Sequence, residues 1–117
     1  MNLDDAIQKH TAWKTKFRSA ITSKEALDAA TISKDNCCEL GKWLYGDGKS
    51  EFGHLPSQID CIAKHKAFHA EAGRVADAIN AKKYVDAERM IGAGTPYADA
   101  SNKAVAAILQ LKKDARA

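Results

Sequence analysis

The chain has 117 residues, 45% of them hydrophobic and 28% charged, with a formal charge of +3. That is the composition of one ordinary folded domain, 1–117, and it excludes a disordered chain. The longest strongly apolar run, residues 104–109, is far short of the roughly 20 residues that span a bilayer. No basic segment followed by an apolar one opens the chain, so a cytoplasmic protein without a membrane partner is expected. Lys112, Lys113 and Arg116 make a basic C-terminus, which suits the end of a helix. No aromatic residues interleave with them for base stacking, so no nucleic-acid partner is expected.

In chain order, Asn2 can cap a first helix whose first turn carries Asp4 and Asp5 and whose seam is Leu3, Ile7, His10, Phe17 and Ile21. Ser23, Ser33 and Asp35 then punctuate a connecting segment with a helical turn expected around residues 25–29. A short helix is expected over about 36–44, stopped by Gly46, Asp47 and Gly48. Pro56 marks the first position of a long helix that continues to about residue 82. The last helical stretch, about 84–114, contains Gly92, Gly94 and Pro96, which either divide it in two or kink it. The pattern is all-α: a four-helix up-and-down bundle with an additional short helix.

The long helix carries a seam of Ile62, His65, His69, Ala72, Ala76 and Ile79, stepping by three and four as core positions do. With His10 on the first seam, three of the four histidines fall at positions expected to be buried, and His54 lies in a loop before Pro56. A lone buried imidazole is ordinarily a core residue bonded to a carbonyl, and an unsatisfied one costs about 1–3 kcal/mol. Three converging imidazoles are harder to satisfy that way, and His65 and His69, four apart, project from one face and can share a metal ion. No Glu follows His65, so the metalloprotease helix motif is absent. Three cysteines, an odd number, argue against a disulfide framework. Cys61, His65 and His69 together span about 12 Å of helix axis, too much for one ion, which makes Cys61 a small core residue. Cys37 and Cys38 both remain as a fourth ligand.

These residues resemble the chemoreceptor zinc-binding (CZB) domain family, whose pattern is a first-helix His with an aromatic three residues on, a Cys-x-Leu-Gly-x-Trp segment and His-x-x-x-His. The chain reads His10-Thr11-Ala12-Trp13, then Cys38-Glu39-Leu40-Gly41-Lys42-Trp43, then His65-Lys66-Ala67-Phe68-His69; Ser101-Asn102-Lys103 and Val105 resemble the family's last helix. The likeness runs over about 3–112. It implies a zinc site of three histidines and one cysteine made by His10, Cys38, His65 and His69. It also implies a cytoplasmic bundle that regulates a chemoreceptor signalling or diguanylate cyclase output domain, and no such output domain is expected within these 117 residues. Sensing of zinc and of oxidants such as hypochlorous acid is the function the resemblance carries, in bacterial chemotaxis or cyclic-di-GMP control.

A fourth protein ligand closes a tetrahedral zinc shell and leaves no place for substrate, so no enzyme activity is expected. The Cys38 thiolate is the oxidisable ligand, and its conversion to sulfenate weakens the zinc bond, which makes Cys38 a candidate redox switch. Trp13, Trp43 and Phe68 are expected to wall the site, and Ser101 either bonds its own helix or supports a ligand from behind. Two other classes are distinguishable: a metal-free helical bundle for interaction or homodimer formation, and an enzyme with a cysteine activated by a histidine.

Overall fold

The computed structural model describes residues 1–116; Ala117 and the side chain of Arg116, part of the basic end noted above, lie outside the described residues. Eight helical segments and no strand form among them. The first arm is α1 (Leu3–Thr11) and α2 (Trp13–Ser23), separated only by Ala12, whose backbone stays helical in φ and ψ. Asn2 caps α1 by accepting the Asp5 N–H at 3.0 Å, and Asp4 and Asp5 lie where the helix dipole favours them. Lys24, at φ 56°, ends α2 in the left-handed region.

Three short helices follow: α3 (Ala29–Ile32), α4 (Glu39–Tyr45) and α5 (Asp47–Phe52). Here the sequence expectations shift. The turn foreseen at 25–29 forms a few residues later because the Asp28 carboxylate caps it, accepting the Thr31 N–H at 3.2 Å. The helix foreseen at 36–44 starts at Glu39, because Cys38 is its cap and has extended backbone angles. Gly46 does end it, but Asp47 and Gly48 open α5 instead of extending the turn.

The long helix α6 (Pro56–Asn80) begins on Pro56 as expected and ends before Lys82, at φ 63°. Asn80 clamps the first arm's exit, accepting from Leu27 N and donating to Leu27 O, both at 2.7 Å. The last stretch is two helices, α7 (Tyr84–Met90) and α8 (Pro96–Arg116). Gly94 takes φ 79°, and the Thr95 hydroxyl accepts the Ala98 N–H at 3.2 Å, a cap that starts a new helix. That decides the alternative left open by Gly92, Gly94 and Pro96.

Named contacts give the directions of the arms. Asp4 pairs with Lys112 at one end of the first arm, and Phe17 meets Tyr97 at 5.7 Å toward the other, so the first arm and α8 are antiparallel. The segment from α3 to α5 returns alongside α6: Ile32 O meets His69, Cys38 meets His65, and Leu44 O accepts from Gln58. The bundle therefore alternates in direction, and its second arm is built of short helices. Two apolar clusters fill it. One holds Phe17, Phe68, Val75, Ile79 and Tyr97; the other holds Leu40, Leu44, Cys61, Ile108 and Leu111. The polar side chains described next sit where the two clusters meet. No described helix is long and apolar enough to cross a membrane.

Candidate metal centre

His10, His65 and His69 are buried, with 4%, 1% and 3% of their surface exposed. Helical periodicity puts them there, as the two seams require. Their Nε2 atoms converge: His65 lies 3.0 Å from His10 and 3.0 Å from His69. Cys38 Sγ joins them at 3.3 Å from His65, 3.6 Å from His69 and 4.0 Å from His10. One donor atom from each of the four lies within 4.8 Å of the rest. Zn–N bonds of about 2.0–2.1 Å and a Zn–S bond of about 2.3 Å in a tetrahedron put nitrogens roughly 3.3 Å apart and sulfur roughly 3.6 Å from nitrogen. The three sulfur–nitrogen spacings bracket their value, and the two nitrogen–nitrogen spacings of 3.0 Å fall about 0.3 Å short of theirs.

Hydrogen bonding behind the rings decides which nitrogens face inward as lone pairs. His10 Nδ1 lies 2.7 Å from Ala6 O, and His69 Nδ1 lies 2.8 Å from Ile32 O. A carbonyl only accepts, so both Nδ1 atoms carry hydrogen and both Nε2 atoms are bare. Burial lowers the pKa of all three rings, His65 to about 3, where burial leads and the His69 and His10 rings add to it. The imidazoles are thus neutral, the charge state that metal binding requires. Burial pushes the Cys38 thiol up, against the Gly41 and Leu40 backbone N–H groups that favour thiolate; a divalent cation bound here would reverse the balance.

Two glycines bring the backbone close enough. A Cβ on Gly41 would lie 1.6 Å from Asp35 O, so only glycine lets the first turn of α4 settle there and point its N–H at Cys38 Sγ, 3.3 Å away. A Cβ on Gly73 would lie 2.6 Å from Ser33 Cβ, and this close approach of α3 brings Ile32 O to His69.

The remaining expected site residues divide. Phe68 places its ring 5.4 Å from both His10 and His69. Trp13 lines a cavity of about 250 Å³ with Lys9, His10, Lys16, Cys38 and Glu39, an opening onto the half-buried cysteine. Trp43 packs against Phe52, with ring centroids 6.1 Å apart and planes tilted by 48°, and not against an imidazole. Ser101 is half-buried on α8 without a hydrogen bond to the four residues. Cys37 is exposed and donates to Asn36 Oδ1, leaving Cys38 as the cysteine of the cluster. Cys61 is in the core, and His54 is exposed outside the cluster. The carbonyls of Ala6 and Ile32 and the role of Gly73 were not singled out from sequence. Ala6, one turn before His10, was within reach of helix periodicity; Ile32 carried no local signal.

The profile of the chemoreceptor zinc-binding domain matches residues 10–76, more than half of the chain and all four converging side chains. The chain belongs to the chemoreceptor zinc-binding family. Searches of characterised proteins and of solved structures returned no match. Zinc is the metal of this regulatory, non-catalytic family, and the CZB cluster has a donor set able to bind it.

Proposed function

We propose that residues 1–117 act as one zinc-responsive sensory domain in which His10, Cys38, His65 and His69 hold a single ion and Cys38 is the oxidant-sensitive switch. The observation that carries this reading is the pair of Nε2 lone pairs on His10 and His69, fixed by Ala6 O and Ile32 O and aimed at the Cys38 sulfur and His65. Bound zinc keeps the sulfur as thiolate and supplies an apparent binding energy of about 10–16 kcal/mol, comparable to the whole stability of a small domain.

The residues tie that energy to shape. His10 belongs to the first arm, Cys38 to the second, and His65 and His69 to α6, so occupancy changes the rigidity of three arms at once. An output domain of the chemoreceptor or diguanylate cyclase type reads that change, in a bacterial cytoplasm and from a homodimeric bundle. Hypochlorous acid reaches Cys38 through the opening beside Trp13. The thiolate and hypochlorous acid become sulfenic acid and chloride, sulfur losing two electrons and chlorine gaining them. With all four donors supplied by protein, no position remains for a substrate.

Elemental analysis of untagged protein purified without added metal tests the reading. About one zinc per chain is expected, with tight retention abolished in Cys38→Ala and zinc released by hypochlorous acid. Near-zero zinc in folded, reduced protein, or unchanged zinc affinity and oxidant response in Cys38→Ala, overturns it and favours a metal-free interaction module.

A further inference from the structure

The three imidazoles are not equivalent. His10 and His69 each anchor Nδ1–H to a backbone carbonyl. His65 Nδ1 is buried and has no hydrogen-bond partner among the described residues, and the residue is only 1% exposed. Its other nitrogen is crowded, with His10 Nε2 and His69 Nε2 at 3.0 Å and Cys38 Sγ at 3.3 Å.

Proton placement follows from this asymmetry. Without metal, the cluster presents two bare acceptors, His10 Nε2 and His69 Nε2. Two neutral donors can satisfy them: an N–H on His65 Nε2, and the Cys38 S–H, whose sulfur lies 3.6 Å from His69 Nε2. Cys38 Sγ in turn accepts the Gly41 N–H. Placing the His65 proton on Nδ1 instead would bury a donor without an acceptor and set three bare Nε2 atoms against one another. Metal coordination requires the reverse, because every ligating Nε2 must offer its lone pair.

We infer that His65 is a tautomer switch: in the metal-free protein its Nε2–H closes the hydrogen-bonded cluster, and metal binding moves that proton to Nδ1. This rests on the zinc reading above. The Cys38 proton leaves to solvent, while the His65 proton is exchanged through solvent from one ring nitrogen to the other, so the imidazole stays neutral in both states. His10 and His69 do not change. The site is consequently held together in the absence of metal, and zinc enters and leaves a folded bundle. In the loaded state, His65 is the one histidine ligand with no acceptor for its Nδ1–H among the described residues. Outer hydrogen bonds of this kind are worth about 10–100-fold in metal affinity, so His65 is the ligand whose bond yields first.

The test is nitrogen-15 NMR of the histidine rings in the full chain, first stripped of metal with a chelator and then titrated with zinc chloride alone. The expected metal-free spectrum has His10 and His69 protonated at Nδ1 and His65 protonated at Nε2, with a coupling across the hydrogen bond from His65 Nε2 to a neighbouring Nε2. One equivalent of zinc is expected to remove that coupling and shift the His65 proton to Nδ1, leaving the other two rings in the same tautomer. A metal-free His65 protonated at Nδ1 overturns the inference whatever zinc does, as does a His65 tautomer unchanged by stoichiometric zinc uptake. Failure to take up zinc at all overturns the zinc reading and the switch together.

The variant His65→Gln supplies a second readout, since its amide N–H can donate from the place of Nε2. Its metal-free urea midpoint is expected to stay near wild type while zinc affinity falls more than 100-fold, whereas His65→Ala loses both. Equal loss of the metal-free midpoint in both variants counts against the hydrogen-bond role.

Discussion

Gly73→Ala isolates the support behind one ligand without touching any ligand. A methyl at position 73 would lie 2.6 Å from Ser33 Cβ and 3.0 Å from Ser33 Cα, whereas carbon atoms rest at about 3.5–4.0 Å. Relief requires α3 to retreat from α6 by about 1 Å. Ile32, the residue before Ser33, accepts from His69 Nδ1 at 2.8 Å; the same retreat along that bond takes it to roughly 3.8 Å, beyond hydrogen-bonding range. A buried N–H left unsatisfied costs about 1–3 kcal/mol. Replacing a helical glycine by alanine returns at most about 1 kcal/mol. The net expectation is a loss of up to about 2 kcal/mol in the metal-free protein and a fall of about 10–100-fold in zinc affinity. Urea unfolding of the metal-free form and competition against a chromophoric chelator measure the two quantities. A Gly73→Ala protein that is more stable than wild type and binds zinc equally well would refute the claim that the Ser33 contact holds Ile32 against His69.

Two further outcomes follow from the titration and exposure of the same residues. All three cluster imidazoles have folded pKa values below the ordinary 6.5, His65 at about 3, so below pH 6.5 the unfolded chain binds protons that the folded chain excludes. Stability of the metal-free protein is then full above about pH 6.5 and falls toward pH 3, by up to about 1.4 kcal/mol per pH unit for His65 alone; urea midpoints at pH 7.5 and 5.5 that coincide would contradict this. Alkylation followed by mass spectrometry should modify exposed Cys37 quickly in zinc-loaded protein, add Cys38 only after chelation, and spare Cys61, which burial pushes up to about 12. Equal labelling of Cys37 and Cys38 with zinc present would exclude a zinc-bound Cys38.

Much of the site was legible from local periodicity. His10, His65 and His69 interrupt apolar seams at steps of three and four, and side chains at those steps share a helix face whatever the rest of the chain does. The same holds for Asn2 as a cap and Pro56 as a first turn, since both act on their own helix. The choice between Cys37 and Cys38 is of another kind. Adjacent residues at a helix start point differently, and the cap geometry that turns Cys38 inward depends on Gly41 meeting Asp35. The second arm was the least legible, because its short helices are placed by contacts with α6 and have little periodicity of their own. Sequence alone determined an all-α chain with three inward imidazoles and a nearby thiol. Tertiary structure alone decided that Ile32 backs His69 across 37 residues, that Gly73 admits that approach, and that His65 Nδ1 meets no hydrogen-bond partner among the described residues. Helix periodicity sets which face a side chain takes, but a hydrogen bond between arms exists only once packing has set their distance.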